Sequence, residues 1–161
     1  MSTVAAEAQI TKVKMAGIEY GKSPDILETL LGSCIGVALW DRTSRTEALA
    51  HVVLPDSRGQ GKSPGKFADT AIAEMRVKLV ARGASPLGLV AKLAGGARMF
   101  GEQGTTDIGL QNHEAVLEHL ERHKIRVAAE HVGSTKGRMI RFSLADGSVE
   151  VRVGREIVEV L

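Results

Sequence analysis

Two side chains in the first third of the chain have the chemistry of a nucleophile and a base. Cys34, the only cysteine among 161 residues, follows the turn-prone pair Gly32-Ser33, and His51 lies in the next apolar run. A thiol becomes a strong nucleophile when a neighbouring group such as an imidazole stabilises its thiolate. A turn directly before the cysteine also directs backbone N–H groups, those of Ser33 and Cys34, towards one point. Together these groups suit acyl transfer from an amide or an ester.

Each of the two residues also has a simpler explanation. A single cysteine is more often a small buried apolar side chain than a nucleophile, and a histidine in an apolar strand is often a hydrogen-bonded core residue. Burying both ionisable groups costs free energy unless they pair with each other or take part in a reaction. Residue types and spacing alone leave both interpretations open.

The surrounding pattern predicts strands that bring Cys34 and His51 together. Apolar runs over 35–40 and 47–54 predict a hairpin with its turn at 41–45. Because Cys34 lies six residues before Trp40, a returning strand of similar length carries His51 back towards it. We therefore expect the two side chains to lie near each other at one end of the hairpin.

The whole pattern predicts an α+β fold, a layered sandwich of mixed or antiparallel β-sheet with two main helices outside. A loop at 56–65 leads into a first helix, which Ser63 would cap and Gly83 would end. A second helix would begin with Asn112 as its N-cap and end at His123. Further strands are predicted at 10–20, 26–31, 87–93, 125–132, 138–144 and 148–153, with an edge strand at 157–161.

Composition indicates a single globular domain, 1–161, whose N-terminus over about 1–8 is expected to be flexible. The net charge is only +2, without a basic cluster, which argues against a nucleic-acid-binding protein. A single cysteine excludes an intramolecular disulfide and fits a reducing compartment. No apolar run approaches the length of a membrane span. We therefore expect a cytoplasmic protein without membrane insertion.

Several segments in one collinear order carry a resemblance to a known family. They are TLLGSCIGVALWD at 29–41, AHVVLPDS at 50–57, KFADTAI at 66–72, AKLAGGARMF at 91–100, IGLQN at 108–112, VG at 132–133 and GR at 137–138. These segments resemble the CheD family of chemoreceptor glutamine deamidases, and they span most of the chain.

The resemblance implies a papain-like cysteine hydrolase, a protein-glutamine glutaminase that needs no metal or organic cofactor. Its substrates would be selected glutamine side chains in the cytoplasmic domains of methyl-accepting chemotaxis receptors, which it would convert to glutamate with release of ammonia. Cys34 would be the nucleophile, His51 the base and Thr29 the residue that orients the histidine. Glu28 is the rival of Thr29, and only one can serve because neighbours on a strand point to opposite faces.

Other residues are weaker candidates for binding. Gly95 and Gly96 would let a substrate or partner backbone approach closely, although an ordinary loop can need the same glycines. Phe100 beside them is a candidate contact for a partner protein, with a role in the core as the alternative. His119 and His123 have the spacing of a shared metal pair but lack a third ligand.

Two other functions remain as alternatives to catalysis on receptors. CheD family members also pair with the CheC-type phosphatase of the chemotaxis response regulator, so the chain would then be a regulatory binding partner with little catalysis of its own. A thiol redox sensor would instead require an exposed Cys34 that oxidises reversibly.

Overall fold

The computed structural model describes residues 7–99 and 107–161. Within these residues lie two helices, α1 (Ala68–Ala81) and α2 (Ile108–Arg122), and a 3₁₀ turn at Pro64–Lys66. The strands are β1 (Ile10–Lys12), β2 (Ile18–Gly21), β3 (Ile26–Leu31), β4 (Ile35–Asp41), β5 (Thr46–Val52), β6 (Val90–Gly95), β7 (Arg126–Val132), β8 (Arg138–Ser143), β9 (Val149–Val153) and β10 (Glu156–Val160). Most of the N-terminus expected to be flexible lies outside the described residues, as does Phe100.

Two five-stranded sheets stack on each other, and both helices cover the outer face of one of them. The first sheet has the strand order β1-β3-β8-β9-β10, and the second has the order β2-β5-β4-β6-β7. The pairs β1–β3 and β6–β7 are parallel, and the other pairs of the described strands are antiparallel. The predicted α+β class, the layered mixed sheets and the two outer helices are therefore confirmed.

The alternation of residues along β4 and β5 directs side chains into two separate cores. The odd-numbered apolar residues of β4 pack against α1 and α2, whereas Cys34 and Ala38 pack between the two sheets. On β5, Leu49 packs between the sheets, and His51 points the same way because it lies two residues further along the strand. The space between the sheets thus receives both candidate side chains.

The predicted continuous strand over 10–20 is wrong. The chain forms β1 in the first sheet and β2 in the second, and residues 13–17 cross from one sheet to the other. Ala16 has a φ of 65°, and the N–H of Gly17 donates to the carbonyl of Lys14 at 2.7 Å, which closes a turn. The other predicted strands are confirmed, with ends shifted by three residues or fewer.

The predicted starts of both helices are also wrong. Ser63 makes no side-chain capping bond, and α1 begins only after the extended residue Phe67, which follows the 3₁₀ turn. α2 begins five residues earlier than predicted, because Asp107 rather than Asn112 is its N-cap and accepts a hydrogen bond from the N–H of Leu110 at 3.0 Å. Asn112 therefore lies inside the helix, where its side chain is available for another contact.

Replacing Glu47, a buried carboxyl on β5, is expected to stabilise the protein at high pH. Glu47 is 2% exposed, its Oε2 has no hydrogen-bond partner among the described residues, and burial raises its pKa from 4.5 to about 7. A raised folded-state pKa gives stability that is present below pH 4.5 and is lost as the pH rises through about 7. Glu47→Gln should therefore raise the free energy of unfolding by on the order of 1–3 kcal/mol near pH 8, and hardly at all near pH 4.

Urea unfolding of the wild type and of Glu47→Gln at the two pH values measures this difference. Glu156→Gln is the matched control, since Glu156 lies exposed on β10. An equal effect of Glu47→Gln at both pH values would show that the ionised carboxylate is not the source of the instability.

Candidate active site

The hydroxyl of Thr29 lies between the imidazole of His51 and the backbone of the crossing segment. β3 places Thr29 on the face between the sheets, since Leu27 and Leu31 on either side of it belong to that core. Its Oγ1 donates to the carbonyl of Val13 at 2.8 Å and lies 2.7 Å from Nδ1 of His51. A hydroxyl has a single hydrogen, so the oxygen must accept the second bond from Nδ1–H.

This hydrogen bond determines the tautomer of His51. With the proton on Nδ1, the lone pair is on Nε2, which is the nitrogen that can act as a base. Nε2 is buried and has no hydrogen-bond partner among the described residues. Burial lowers the pKa of the His51 imidazole below its usual value of 6.5, so the ring is neutral at pH 7. The neutral ring of His51 can therefore accept a proton at Nε2.

The crossing segment 13–17 also holds the backbone of His51. The N–H of Ala16 donates to the carbonyl of His51 at 3.0 Å, and the N–H of His51 donates to the carbonyl of Gly17 at 3.0 Å. The same segment holds Thr29 through Val13. One short piece of backbone therefore positions both members of the pair.

Cys34 lies one residue before β4, on the same face of the sheet as His51. Gly36, two residues further along, is directly opposite His51 in the β4–β5 ladder, and alternate residues share a face. The thiol is 8% exposed, and burial raises its pKa. Because Nε2 of His51 has no described partner, the thiol is not hydrogen-bonded to it in this structure. Such bonds are often long in a free enzyme and shorten when substrate binds.

The turn that carries Cys34 is held by its carbonyl groups. The carbonyl of Gly32 accepts a hydrogen bond from the N–H of Ala97 at 3.0 Å, and the carbonyl of Cys34 accepts one from the N–H of Gly96 at 2.9 Å. The carbonyl of Ser33, between them, accepts one from Nδ2 of Asn112 at 3.1 Å. Three consecutive peptide groups are thereby oriented by the loop after β6 and by α2. The position of Cys34 therefore depends on parts of the chain distant in sequence.

The N–H groups of Ser33 and Cys34 have no acceptor within the described part of the chain. In a trans peptide the C=O and N–H groups point in opposite directions, so these two N–H groups point away from the groups that hold the carbonyls. Neither donates a hydrogen bond to any residue that the structure describes. Their arrangement suits the binding of a developing oxyanion next to the thiol.

Gly95 and Gly96 lie against the backbone of Cys34. Gly95 has a φ of 108°, and a Cβ at this residue would overlap the carbonyl oxygen of Cys34. Gly96 donates its N–H to that same oxygen at 2.9 Å. In this structure the backbone that lies close to these glycines is that of Cys34. Their contact with a substrate or partner stays a prediction. The same prediction for Phe100 falls outside the described residues.

Gly95→Ala is expected to displace Cys34 and to lower both stability and activity. A positive φ alone costs an alanine about 1–2 kcal/mol. At Gly95 the displacement of the Cys34 carbonyl adds to that cost. Gly83→Ala is the matched control, since Gly83 has a φ of 111° and nothing within 4 Å of its Cβ position. Thermal unfolding and activity measurements on the two variants separate backbone strain from displacement, and equal losses in both would contradict the prediction.

A cavity of about 410 Å³ opens beside Thr29 and His51. Its wall includes the strongly exposed side chains of Met15 and Leu30, and Cys34 is not among its lining residues. The full lining consists of Lys12, Val13, Lys14, Met15, Glu28, Thr29, Leu30, His51 and Met139. This cavity reaches one side of the imidazole of His51, whose Nε2 is itself buried.

Several other candidate residues take no part in this arrangement. Glu28 points to the opposite face of β3 and forms an ion pair with Arg141, Nε to Oε2 at 3.0 Å, so Thr29 rather than Glu28 hydrogen bonds to the imidazole. His119 and His123 belong to no group of three acidic, histidine or cysteine side chains able to hold a metal ion within 7–99 and 107–161. No helix among the described residues has the length and apolar character required to cross a membrane.

Sequence patterns did not indicate two further parts of the site. One is the crossing segment 13–17, which read as part of a strand. The other is Asn112, which is fully buried and donates to carbonyls 79 and 59 residues away, at Ser33 and Val53. The available signal was Gly109, three residues before Asn112 on the same helix face, since a glycine there permits close packing.

Comparison with known proteins agrees with the resemblance of the sequence. Residues 53–153 match the family model described as CheD chemotactic sensory transduction. Over 150 residues the chain is 47% identical to the probable chemoreceptor glutamine deamidase CheD of Methanococcus vannielii, covering 92% of this chain and 97% of that protein. Over 143 residues it is 42% identical to the chemoreceptor glutamine deamidase CheD of Thermotoga maritima, covering 86% and 90%.

Among solved structures, the chain is similar to the hypothetical protein YfiH of Bacillus licheniformis, with a TM-score of 0.46 and 14% identity. The match covers 80% of this chain and 61% of that one. A similarity of this size adds nothing to the description of the site.

Proposed function

The chain belongs to the CheD family, and from this we propose that it is a cytoplasmic chemoreceptor glutamine deamidase with Cys34 as its nucleophile. It hydrolyses selected glutamine side chains in the cytoplasmic domains of chemotaxis receptors to glutamate. The observation that carries the proposal is the Thr29–His51 hydrogen bond, which puts the lone pair of His51 on Nε2, an atom that has no partner among the described residues and lies on the face that also carries Cys34. In this proposal Cys34 is the nucleophile, His51 is the base and Thr29 orients the histidine.

In the first half of the reaction, ammonia leaves and a thioester forms. His51 Nε2 takes the proton of the Cys34 thiol, and the thiolate attacks the carboxamide carbon of a substrate glutamine. The carbonyl oxygen becomes an oxyanion, which the N–H groups of Ser33 and Cys34 stabilise. The imidazolium of His51 then protonates the leaving nitrogen, the C–N bond breaks, and the glutamyl group remains on the sulfur.

In the second half, water replaces the enzyme sulfur. His51 Nε2 takes a proton from a water molecule, and the resulting hydroxide attacks the thioester carbon. The C–S bond breaks and the thiolate regains its proton from His51. The substrate is now a glutamate, and the enzyme has returned to its starting state without a cofactor.

Burial determines which charge states the resting site holds. It raises the pKa of the Cys34 thiol and lowers the pKa of the His51 imidazole, so both groups are neutral at pH 7. The thiolate is therefore formed only when His51 takes the proton of the thiol. This requires the sulfur and Nε2 to come together when the substrate binds.

The proposal is tested by mass spectrometry of purified receptor cytoplasmic fragments incubated with the protein. Replacing an amide nitrogen by oxygen raises the mass by about one unit at each modified glutamine, and this gain is expected only with an intact thiol. Receptor fragments in which the modified glutamines are already glutamate serve as the control, together with Cys34→Ala. A folded protein that leaves every receptor fragment unchanged would contradict the proposed function.

Neither alternative function is favoured by an observation on the described residues. A redox sensor needs an exposed thiol, whereas Cys34 is only 8% exposed. A purely regulatory partner of a CheC-type phosphatase has no need of a histidine whose tautomer is set for proton transfer. Such a partnership stays a separate prediction, and a complex that persists with Cys34→Ser would show that binding does not depend on catalysis.

A further inference from the structure

Asn112 joins the two chain segments that carry the nucleophile and the base. Its Nδ2 donates to the carbonyl of Ser33 at 3.1 Å and to the carbonyl of Val53 at 2.9 Å. Ser33 directly precedes Cys34, and Val53 lies two residues after His51. One fully buried side chain on α2 therefore bridges the turn of the nucleophile and the end of the histidine strand.

Close packing of α2 makes this bridge possible. A Cβ at Gly109 would lie 2.5 Å from the carbonyl oxygen of Gly96 and 2.7 Å from that of Ala97, so only a glycine lets the helix approach this loop without displacement. Asn112 is three residues further along and therefore lies on the same face of the helix. The same loop holds the other two carbonyls of the turn, through the N–H groups of Gly96 and Ala97.

We propose that Asn112 is a positioning residue that directs the backbone N–H of Cys34 at the oxyanion. Ser33 and Cys34 share the peptide group whose C=O is held by Asn112, so the N–H of that group must point in the opposite direction. No described residue accepts a hydrogen bond from it. Without Asn112, this peptide would lose the bond that fixes its orientation, and the N–H donor would lose its direction. The carbonyls of Gly32 and Cys34 would still be held by Ala97 and Gly96, and His51 by the crossing segment 13–17, so the thiol and the imidazole should keep their positions.

The inference rests on the proposed function only in taking Cys34 to be an acylated nucleophile. It is therefore tested with two small reagents and no receptor. With p-nitrophenyl acetate, the Cys34 sulfur attacks the ester carbon, an oxyanion forms, and the C–O bond breaks to release nitrophenolate. With iodoacetamide, the sulfur displaces iodide, and no oxyanion forms. Both reactions need the same thiolate, and only the first needs the N–H donor.

Asn112→Leu is expected to lower the rate of acylation by on the order of 10²-fold, the usual effect of losing one oxyanion donor, and to leave the rate of alkylation unchanged. If both rates fall together, Asn112 only supports the fold and the proposal is wrong. If neither rate changes, the N–H of Cys34 does not depend on Asn112 and the proposal is also wrong. The absence of receptor deamidation by the wild type would instead overturn the proposed function.

Asn112→Asp gives a second test that does not depend on the folding of Asn112→Leu. It keeps the shape of the side chain, and burial raises the pKa of a carboxyl group at such a position. The neutral acid can donate one hydrogen bond to a carbonyl, whereas the carboxylate repels both carbonyls. The ratio of acylation to alkylation should therefore rise as the pH is lowered. A ratio independent of pH and equal to that of the wild type would overturn the proposal.

Thr70→Val is the matched control for both variants. Thr70 on α1 likewise donates its side-chain hydrogen to backbone carbonyls, those of Pro64 and Phe67, and among the described residues it makes no side-chain hydrogen bond to the turn 32–34 or to His51. Losing its hydrogen bonds should lower thermal stability and leave the ratio of the two rates unchanged. A change of that ratio in Thr70→Val would show that the ratio responds to general loosening of the fold.

Discussion

Cys34→Ala is expected to lower receptor deamidation by at least about 10⁴-fold while the protein stays folded, because it removes the proposed nucleophile, for which a covalent mechanism has no substitute. The sequence contains no other thiol that could replace it. Cys34→Ser should be almost as inactive, since the hydroxyl is a much weaker nucleophile and burial already raises the pKa of the thiol. Neither change removes a hydrogen bond of the Thr29–His51 pair.

The measurement compares ammonia release from receptor fragments by the wild type and the two variants, with thermal unfolding of each. Iodoacetamide labelling provides an internal standard, because one thiol per chain should react in the wild type and none in either variant. Deamidation retained by folded, unlabelled Cys34→Ala would assign the chemistry to another group. If Cys34→Ala lost its folded structure together with its activity, the folded variant Cys34→Ser would decide whether the thiol is needed.

The strands that present Cys34 and His51 could be predicted because their signals are local. The apolar runs at 26–31 and 35–40 end at clear turn residues, and the second run returns through a short polar loop as a hairpin. The register of that hairpin then places Gly36 opposite His51. The local pattern was therefore enough to predict that Cys34 and His51 lie at the same end of the hairpin.

The crossing at 13–17 could not be predicted because its cause lies elsewhere in the chain. Its apolar residues continue the pattern of the flanking strands, and Ala16 adopts a positive φ that its residue type does not favour. The crossing is held by hydrogen bonds to the backbone of Glu28 and His51, and by the side chain of Thr29. A sequence window of a dozen residues contains none of these partners.

The choice between Thr29 and Glu28 shows the limit of strand periodicity. Alternation establishes that the two side chains point to opposite faces of β3, but not which face is buried against the second sheet. Arg141 on β8 decides this, since it is paired with residue 28 in the ladder and forms the ion pair with Glu28 on the other face. The family resemblance thus implied Thr29 as the orienting residue, and the pairing of β3 with β8 explains why Thr29 rather than Glu28 faces His51.

His51→Ala is expected to lower deamidation by about 10³- to 10⁴-fold, and Thr29→Val by about 10²-fold. In the proposed mechanism the histidine moves the proton in both halves of the reaction, whereas Thr29 only holds the ring. In Thr29→Val the Nδ1–H of His51 loses its buried acceptor, so both tautomers and other ring orientations become accessible. Thr29→Ser keeps the hydroxyl and should retain most of the activity.

The dependence of kcat/KM on pH distinguishes the orienting role from simple loss of structure. In the wild type the pKa of His51 lies below 6.5, so activity should persist below pH 6.5 and fall only as the pH drops through that lowered value. Removing the acceptor of Nδ1–H destabilises the imidazolium further, so the pKa of His51 should fall again in Thr29→Val. The variant should thus be slower at its optimum but lose activity at a lower pH than the wild type. An unchanged acid limb would remove Thr29 from the mechanism, and a larger loss in Thr29→Val than in His51→Ala would reverse the two roles.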